Sequence, residues 1–336
     1  MKTETVKCDL CGSDQNEQLL VGQDFLHGTD GQWPVVKCVH CGLIFTNPRP
    51  APEALGQVYP SDYNPYRQRK RKKINRRWKL HHWAMQHHWN YPPGRGGLLV
   101  RIFSFPFFLW TRFHFRNYDL FPWQGRGQLL DYGCGGGKYL NRLKDLGWQV
   151  AGMDMSEQAV EVCKKQDLDV RVGINMAQEF EPETFDAVTM FHVLEHVPSP
   201  TETLTQVNRI LKDNGLLVFA VPNIASLPAR WFGKCWFPLD LPRHVTHFSK
   251  KTAGKILAKT GFKLEKTLAQ QHGQTISSSL NYLARVTGKQ KFKFFGRFKR
   301  ICFLVELLSI LCGQPARIVV HARKVRKIDL NTEPPK

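Results

Sequence analysis

The chain has 336 residues, 42% of them hydrophobic, with 48 Lys and Arg against 28 Asp and Glu and a formal net charge of +20. That apolar share excludes wholesale disorder, and the length suits about two domains. No stretch approaches the ~20 uninterrupted apolar residues of a spanning helix. The opening Met1-Lys2-Thr3-Glu4-Thr5 lacks the apolar run of a signal peptide, so a cytoplasmic chain is expected. So large a positive charge calls for an anionic partner: a membrane surface, a nucleic acid or a polyanionic substrate.

Residues 1–60 carry Cys8-Asp9-Leu10-Cys11-Gly12 and Cys38-Val39-His40-Cys41-Gly42. Two C-x-x-C knuckles can set four thiolates tetrahedrally about one Zn²⁺, with the glycines easing the turn beneath the sulfurs. The spacing predicts a zinc-ribbon-like domain with Cys8, Cys11, Cys38 and Cys41 as ligands. Four sulfurs close the site, so the metal is expected to be structural. The other five cysteines show no metal spacing.

Residues 61–124 read as a basic, aromatic helical linker or cap. The run Arg67–Lys73 precedes Trp78, Trp83 and Trp89, and an apolar run covers 98–110. Segments 64–120 and 285–327 hold 13 and 12 Lys or Arg with one acid each, so the rest of the chain is near neutral.

From 125 to 325 strand and helix signals alternate. Gln128–Tyr132 is an apolar strand running into Asp131-Tyr132-Gly133-Cys134-Gly135-Gly136-Gly137. Tyr139, Leu140, Leu143 and Leu146 then share one helix face. Trp148–Asp154 predicts a second strand, and Ser156 a helix start. Asp169–Gly173 predicts a third strand and Phe185–Phe191 a fourth. Ser199-Pro200-Thr201-Glu202 is a capping box opening a helix that is expected to run to Gly215. Leu216–Val221, Phe262–Ala269 and Ala316–Lys324 complete the strands, and Ser249 is expected to cap a helix ending near Gly261. Such alternation predicts an α/β fold, a mostly parallel Rossmann-like sheet covered by helices. An inserted helical segment is expected at about 273–315 and a tail at 326–336.

In such a sheet the ligand lies beyond the carboxyl ends of the strands. The dinucleotide fingerprint needs Gly or Ala where Lys138 stands, and the phosphate P-loop needs Gly where Tyr132 stands; both readings weaken. What remains is D-x-G-x-G-x-G followed by Asp154, an acid closing the second strand and suited to ribose hydroxyls.

This pattern resembles class I S-adenosylmethionine-dependent methyltransferases. Leu129–Gly137 is similar to their first motif, Val150–Ser156 to their second, Phe185–Val197 to their fourth-strand motif and Gly215–Asn223 to their fifth strand. The resemblance implies S-adenosyl-L-methionine as cofactor. Asp131, Gly133, Gly135 and Gly137 would surround its methionyl part, and Asp154 would hold the ribose. Met155 would lie against adenine, Ala177 and Gln178 at the adenine edge, and Phe191 on the sulfonium side. The ribbon, the run Gly42–Pro50 and the segment Leu239-Asp240-Leu241-Pro242-Arg243-His244, with His247-Phe248-Ser249, resemble a narrower bacterial group linked to sugar and surface-glycan biosynthesis.

The enzyme must also align the acceptor and remove its proton. His192, His244 and His196 are the candidate bases, and one helical turn would bring His192, Glu195 and His196 together. The run His192-x-x-Glu195-His196 is also similar to the E-x-x-E-H of methyltransferases that hold a divalent cation, but His192 replaces the first acid and argues against that metal. Lys291–Arg300 and the apolar run Ile301–Cys312 suit an anionic membrane interface; the same composition could bind nucleic acid, or cap the site. The expectation is a methyltransferase at the inner face of the cell membrane, acting on a sugar oxygen or carbon of a nucleotide- or lipid-linked glycan precursor. An rRNA or tRNA methyltransferase and a catalytically silent scaffold are the alternatives.

Overall fold

A computed structural model describes residues 1–58, 83–92, 97–114, 120–271 and 274–328. The basic run Arg67–Lys73, Trp78 and most of the expected tail lie outside the described residues. The chain divides into two compact units, one of Met1–Ser61, Phe191–Asn208 and Phe219–Lys336, the other of Asp62–Met190 and Arg209–Val218. In chain order the strands are β1 (Thr3–Glu4), β2 (Asn16–Gly22), β3 (Trp33–Cys38), β4 (Ile44–Thr46), β5 (Arg49–Pro50), β6 (Gln128–Tyr132), β7 (Gln149–Asp154) and β8 (Asp169–Val172). There follow β9 (Phe185–Phe191), β10 (Leu211–Pro222), β11 (Thr246–His247), β12 (Phe262–Ala269) and β13 (Arg317–Lys324).

A seven-stranded sheet has the order β12-β13-β10-β9-β6-β7-β8. Strands β6, β7, β8 and β9 pair in parallel, and β12 and β13 antiparallel. The central parallel strands β6 and β9 are buried nearly throughout, as burial on both faces favours near-continuous apolar runs; Leu129, Leu130, Ala187 and Val188 are wholly buried. In the second unit Leu140, Val160, Cys163, Leu168 and Val170 pack with Cys134 of the glycine loop. Ser156 starts the helix Glu157–Lys164 by accepting from Ala159 N at 3.2 Å.

A second sheet, β11-β4-β3-β2, builds the ribbon. Its edge strand β11 is supplied by residues 246–247, with Thr246 opposite Phe45 and His247 opposite Ile44. Trp33 and Val35 pack with Trp236, Leu239 and Leu241 in one apolar cluster. Both knuckles are tied down within this unit. Lys259 Nζ donates to Leu10 O and Lys255 Nζ to Cys41 O, each at 2.7 Å.

Two elements differ from the sequence expectation. The helix Pro200–Ile210 ends well before Gly215, and β10 begins at Leu211. Lys212 is held by Asp186 at 2.9 Å and Gln128 at 2.7 Å, which keeps it beside the strands rather than on the helix. At the start of that helix Ser199 Oγ accepts from Glu202 N, but Glu202 accepts from Gln206 instead of reaching back. Asp9 takes over, accepting from Thr201 N at 2.8 Å and Ser199 Oγ at 2.6 Å. Ser249 does form a complete capping box with Thr252 on the helix Lys250–Lys259.

The insertion folds as three helices, Thr275–Thr287, Gln290–Gly296 and Lys299–Leu311. The last has its amphipathicity reversed. Cys302, Glu306 and Ser309 are buried, while Ile301, Leu304, Leu308 and Leu311 are 54–74% exposed. Among the described residues no helix is long and apolar enough to cross a membrane.

Candidate functional site

The cofactor-type residues gather at the end of β6. Gly133, Gly135 and Gly137 stand at φ +76°, +52° and +75°, left-handed conformations that favour glycine. A Cβ at Gly137 would also meet Leu168 at 2.5 Å and the Cys163 sulfur at 2.9 Å. Asp154, at the end of β7, accepts from Gly135 N at 2.8 Å and from Ser156 N at 2.9 Å. Asp131 is buried and accepts from Thr189 Oγ1 at 2.7 Å. Burial, and the Asp154 charge against the pull of Thr189, push its carboxyl up to about 7. Burial also raises Asp154. Two buried acids beside a bare glycine loop could hold a ligand that carries positive charge. Met155 is exposed on the same rim. Ala177 and Gln178 lie in the short helix Met176–Glu179, which Asn175 starts by accepting from Ala177 N.

In the other unit the four knuckle sulfurs lie within 4.8 Å of one another. The Cys8–Cys41 and Cys11–Cys38 pairs are 3.4 and 3.5 Å apart. Bonds of about 2.3 Å to a tetrahedral Zn²⁺ require sulfurs at such spacings, so the set fits the metal. Gly12 and Gly42 stand at φ +75° and +79° beneath them.

The same unit holds the histidines. The segment 192–196 is a turn rather than a helical one, closed by His196 N donating to Val193 O. His192 adopts φ +59°, uncommon for a side chain of its size. Its Nδ1 lies 3.3 Å from Glu195 Oε1, and its buried Nε2 has no partner among the described residues. His196 Nδ1 donates to Arg243 O at 3.1 Å, and His244 Nδ1 to Pro238 O at 2.9 Å. The His196 and His244 rings meet edge to face at 4.5 Å. Burial, with His196 and His247 beside it, holds His244 well below the ordinary histidine range, so it is neutral. Phe191, half-buried, ends β9 just before this turn.

Glu195, a neighbour of His192 and His196 in the sequence reading, is joined in this cluster by three residues outside the sequence-derived site, Arg243, Asp240 and Asp24. Glu195 is 1% exposed, and its backbone carbonyl accepts from Val245 N and Thr246 N. Arg243, wholly buried, forks onto Asp24 with two bonds of 2.8 Å and onto Asp240 at 2.6 Å. A positive and a negative residue inside the apolar run 236–248 were the available signal for Arg243 and Asp240. Nothing near Asp24 announces its partner 219 positions away.

Residues 112–267 match the family model described as a methyltransferase domain. That match assigns a methyltransferase domain to residues 112–267. The domain is similar to a ubiquinone biosynthesis O-methyltransferase of Colwellia psychrerythraea, 38% identical over 103 residues, 29% of this chain and 42% of that protein. A second O-methyltransferase of that description, from Alkalilimnicola ehrlichii, is 29% identical over 183 residues, 48% of this chain and 73% of its own length. The chain thus spans under half the length of the Colwellia relative. Among solved structures, an S-adenosylmethionine-dependent methyltransferase from Mesorhizobium loti has a TM-score of 0.43 and 17% identity, covering 63% of this chain and 97% of that one.

Proposed function

We propose that the protein transfers a methyl group from S-adenosyl-L-methionine to a hydroxyl oxygen of its acceptor. The observation that carries this reading is the buried Asp131–Asp154 pair beside the glycine loop. Asp131, Gly133, Gly135 and Gly137 would hold the methionyl end, Asp154 and Met155 the ribose and adenine, and Ala177 and Gln178 the adenine edge. The cofactor supplies an activated methyl group on a sulfonium; everything else falls to the chain. Phe191 would shield the reacting centre from water. His192 is the base: Glu195 accepts its Nδ1 proton, fixes the tautomer and leaves Nε2 to take the acceptor's proton. His192 follows Thr189, the partner of Asp131, by three residues of chain. His196 and His244, whose Nδ1 atoms serve backbone carbonyls, position this turn. Cys8, Cys11, Cys38 and Cys41 would hold a structural Zn²⁺.

The relatives' names supply O-methylation; the ribbon and the Leu239–His244 signature favour a sugar of a nucleotide- or lipid-linked glycan precursor. We place the enzyme on an anionic membrane surface. Support comes from the reversed helix Lys299–Leu311 and from exposed Lys289, Lys291, Lys293, Arg297, Lys299 and Arg300 around it. Exposed leucines favour lipid over RNA, which needs no aliphatic face.

Calorimetry tests the cofactor assignment. Asp154→Ala should weaken S-adenosylmethionine binding by about 1.5–3 kcal/mol, the usual cost of losing hydrogen bonds to a charged group. His192→Ala should leave binding intact and cost about 10²–10⁴-fold in turnover. No binding to the wild type, or tighter binding of NAD, would sink the proposal.

A further inference from the structure

We propose that the helix Leu98–His114 lies in the interface of an anionic membrane, with its apolar side at the acyl boundary. The proposal rests on the membrane reading above and adds a second point of contact, on the other compact unit. The helix is built inside out. Leu98, Leu99, Ile102 and Phe103 are 56–80% exposed, and Phe105 and Leu109 are exposed as well. Positions 98, 102, 105 and 109 form one row on a helix, with 99 and 103 in the row beside it. The outward side is therefore one continuous apolar strip rather than scattered single side chains, and such a strip marks an interaction surface.

The inward side fixes this orientation. Ser104 is buried, and its Oγ lies 2.9 Å from His88 Nε2. The His88 ring stacks on buried Phe108 at 4.5 Å, and Trp89 meets Phe108 edge to face at 5.5 Å. Turning the helix to bury Leu99 and Phe103 would break the Ser104–His88 bond and the His88 stack, so the strip stays outward.

Charge selects the occupant. Residues 63–118 contain no Asp or Glu, residues 64–120 hold 13 Lys or Arg, and Arg101 stands within the strip's own stretch. An anionic leaflet answers such a flank. A second copy of the chain would set the flank against itself and be repelled. Structured RNA would answer the charge but has no use for Leu98, Leu99 and Ile102, because bases stack on aromatic rings. Trp83, 40% exposed, stands 6.5 Å from Phe107 of the helix, and tryptophan suits the headgroup level. The helix has 17 residues and Pro106 inside it, and at a length of about 25 Å it suits lying in the interface plane rather than crossing.

The test is co-sedimentation of the full chain with vesicles of mixed phosphatidylglycerol and phosphatidylcholine. Leu99→Ser with Phe103→Ser should lower the partition coefficient by at least ~10-fold at low and high salt alike, since two apolar side chains leave the acyl boundary. The melting temperature should not change, because both side chains are exposed. Phe103→p-benzoylphenylalanine should crosslink to lipid acyl chains on irradiation, which decides the matter even if the double variant misfolds. Unchanged partition in the Leu99/Phe103 variant, where Leu304→Ser with Leu308→Ser loses it, would overturn this contact and leave the membrane reading standing. Crosslinks from position 103 to a second copy of the chain, or to added structured RNA in place of lipid, would also overturn it. Wild-type protein that no vesicle retains would sink both.

Discussion

Thr46 Oγ1 donates to the His244 carbonyl at 3.0 Å, joining the ribbon to the histidine loop across 198 positions of sequence. The same hydroxyl lies 3.2 Å from His247 Nε2, from which it accepts, and Thr46 N donates to Val245 O. The ribbon sheet is therefore completed by the loop that carries His244. Structural zinc supplies folding free energy to ribbons of this kind. Cys38→Ser should release the metal and speed hydrogen exchange in residues 1–50 and also at 244–247. The glycine loop should keep its protection. Exchange at 244–247 that does not change on metal loss would contradict this coupling.

Cofactor binding should depend on pH through Asp131. Burial, helped by the Asp154 charge and opposed by the Thr189 bond, pushes its carboxyl up to about 7. A cationic ligand favours the carboxylate, so binding below that pKa must expel a proton. Affinity for S-adenosylmethionine should rise as pH climbs from about 5.5 to 7.5, by at most about tenfold per unit, and then level off. Calorimetry in buffers of different ionisation enthalpy should show proton release near pH 6 and little near pH 8.5. Asp131→Asn should abolish the release. A flat profile for both proteins would remove Asp131 from the site.

Arg243 should be the costliest single side chain to remove. It holds Asp24 at the base of a turn whose Leu26, His27 and Thr29 amides also point at that carboxylate. Burial alone would raise Asp24, but these bonds hold it well below the usual range. Arg243→Met leaves the carboxylate buried and unpaired by any cation, a loss of about 3–5 kcal/mol. The deficit should shrink as pH falls toward 4, because an unpaired buried carboxyl takes up a proton early. Denaturant melts at several pH values measure it. A deficit that stays constant with pH would show that packing, not charge, dominates.

Membrane attachment should need both parts of the 289–311 surface. An anionic leaflet attracts each nearby Lys or Arg by about 1 kcal/mol. Changing Lys291, Lys293 and Arg297 to Ala should weaken co-sedimentation with anionic vesicles in a salt-sensitive way. Leu304→Ser with Leu308→Ser should weaken it at every salt, and because both side chains are exposed the fold should survive. Neutral vesicles should bind less than anionic ones. Retention on structured RNA and on neither vesicle would overturn the membrane proposal in favour of RNA.

Local sequence determined the elements whose signals are local. The glycine loop is legible because left-handed turns demand Gly133, Gly135 and Gly137. The parallel strands are legible because burial on both faces demands runs such as Leu129–Leu130 and Ala187–Val188. The two knuckles are legible because thiolate spacing is set by a tight turn. The sequence likewise marked His192, Glu195 and His196 as neighbours, although a turn rather than a helix brings them together. Tertiary structure alone decided that β11 completes the ribbon, that Arg243 answers Asp24, and that His244 comes to Glu195 and His196. It also decided which face of 299–311 is buried, reversing what an apolar run would suggest. Pairings across some 200 residues leave no periodic trace, because a buried carboxylate specifies the charge of its partner and nothing about its position along the chain.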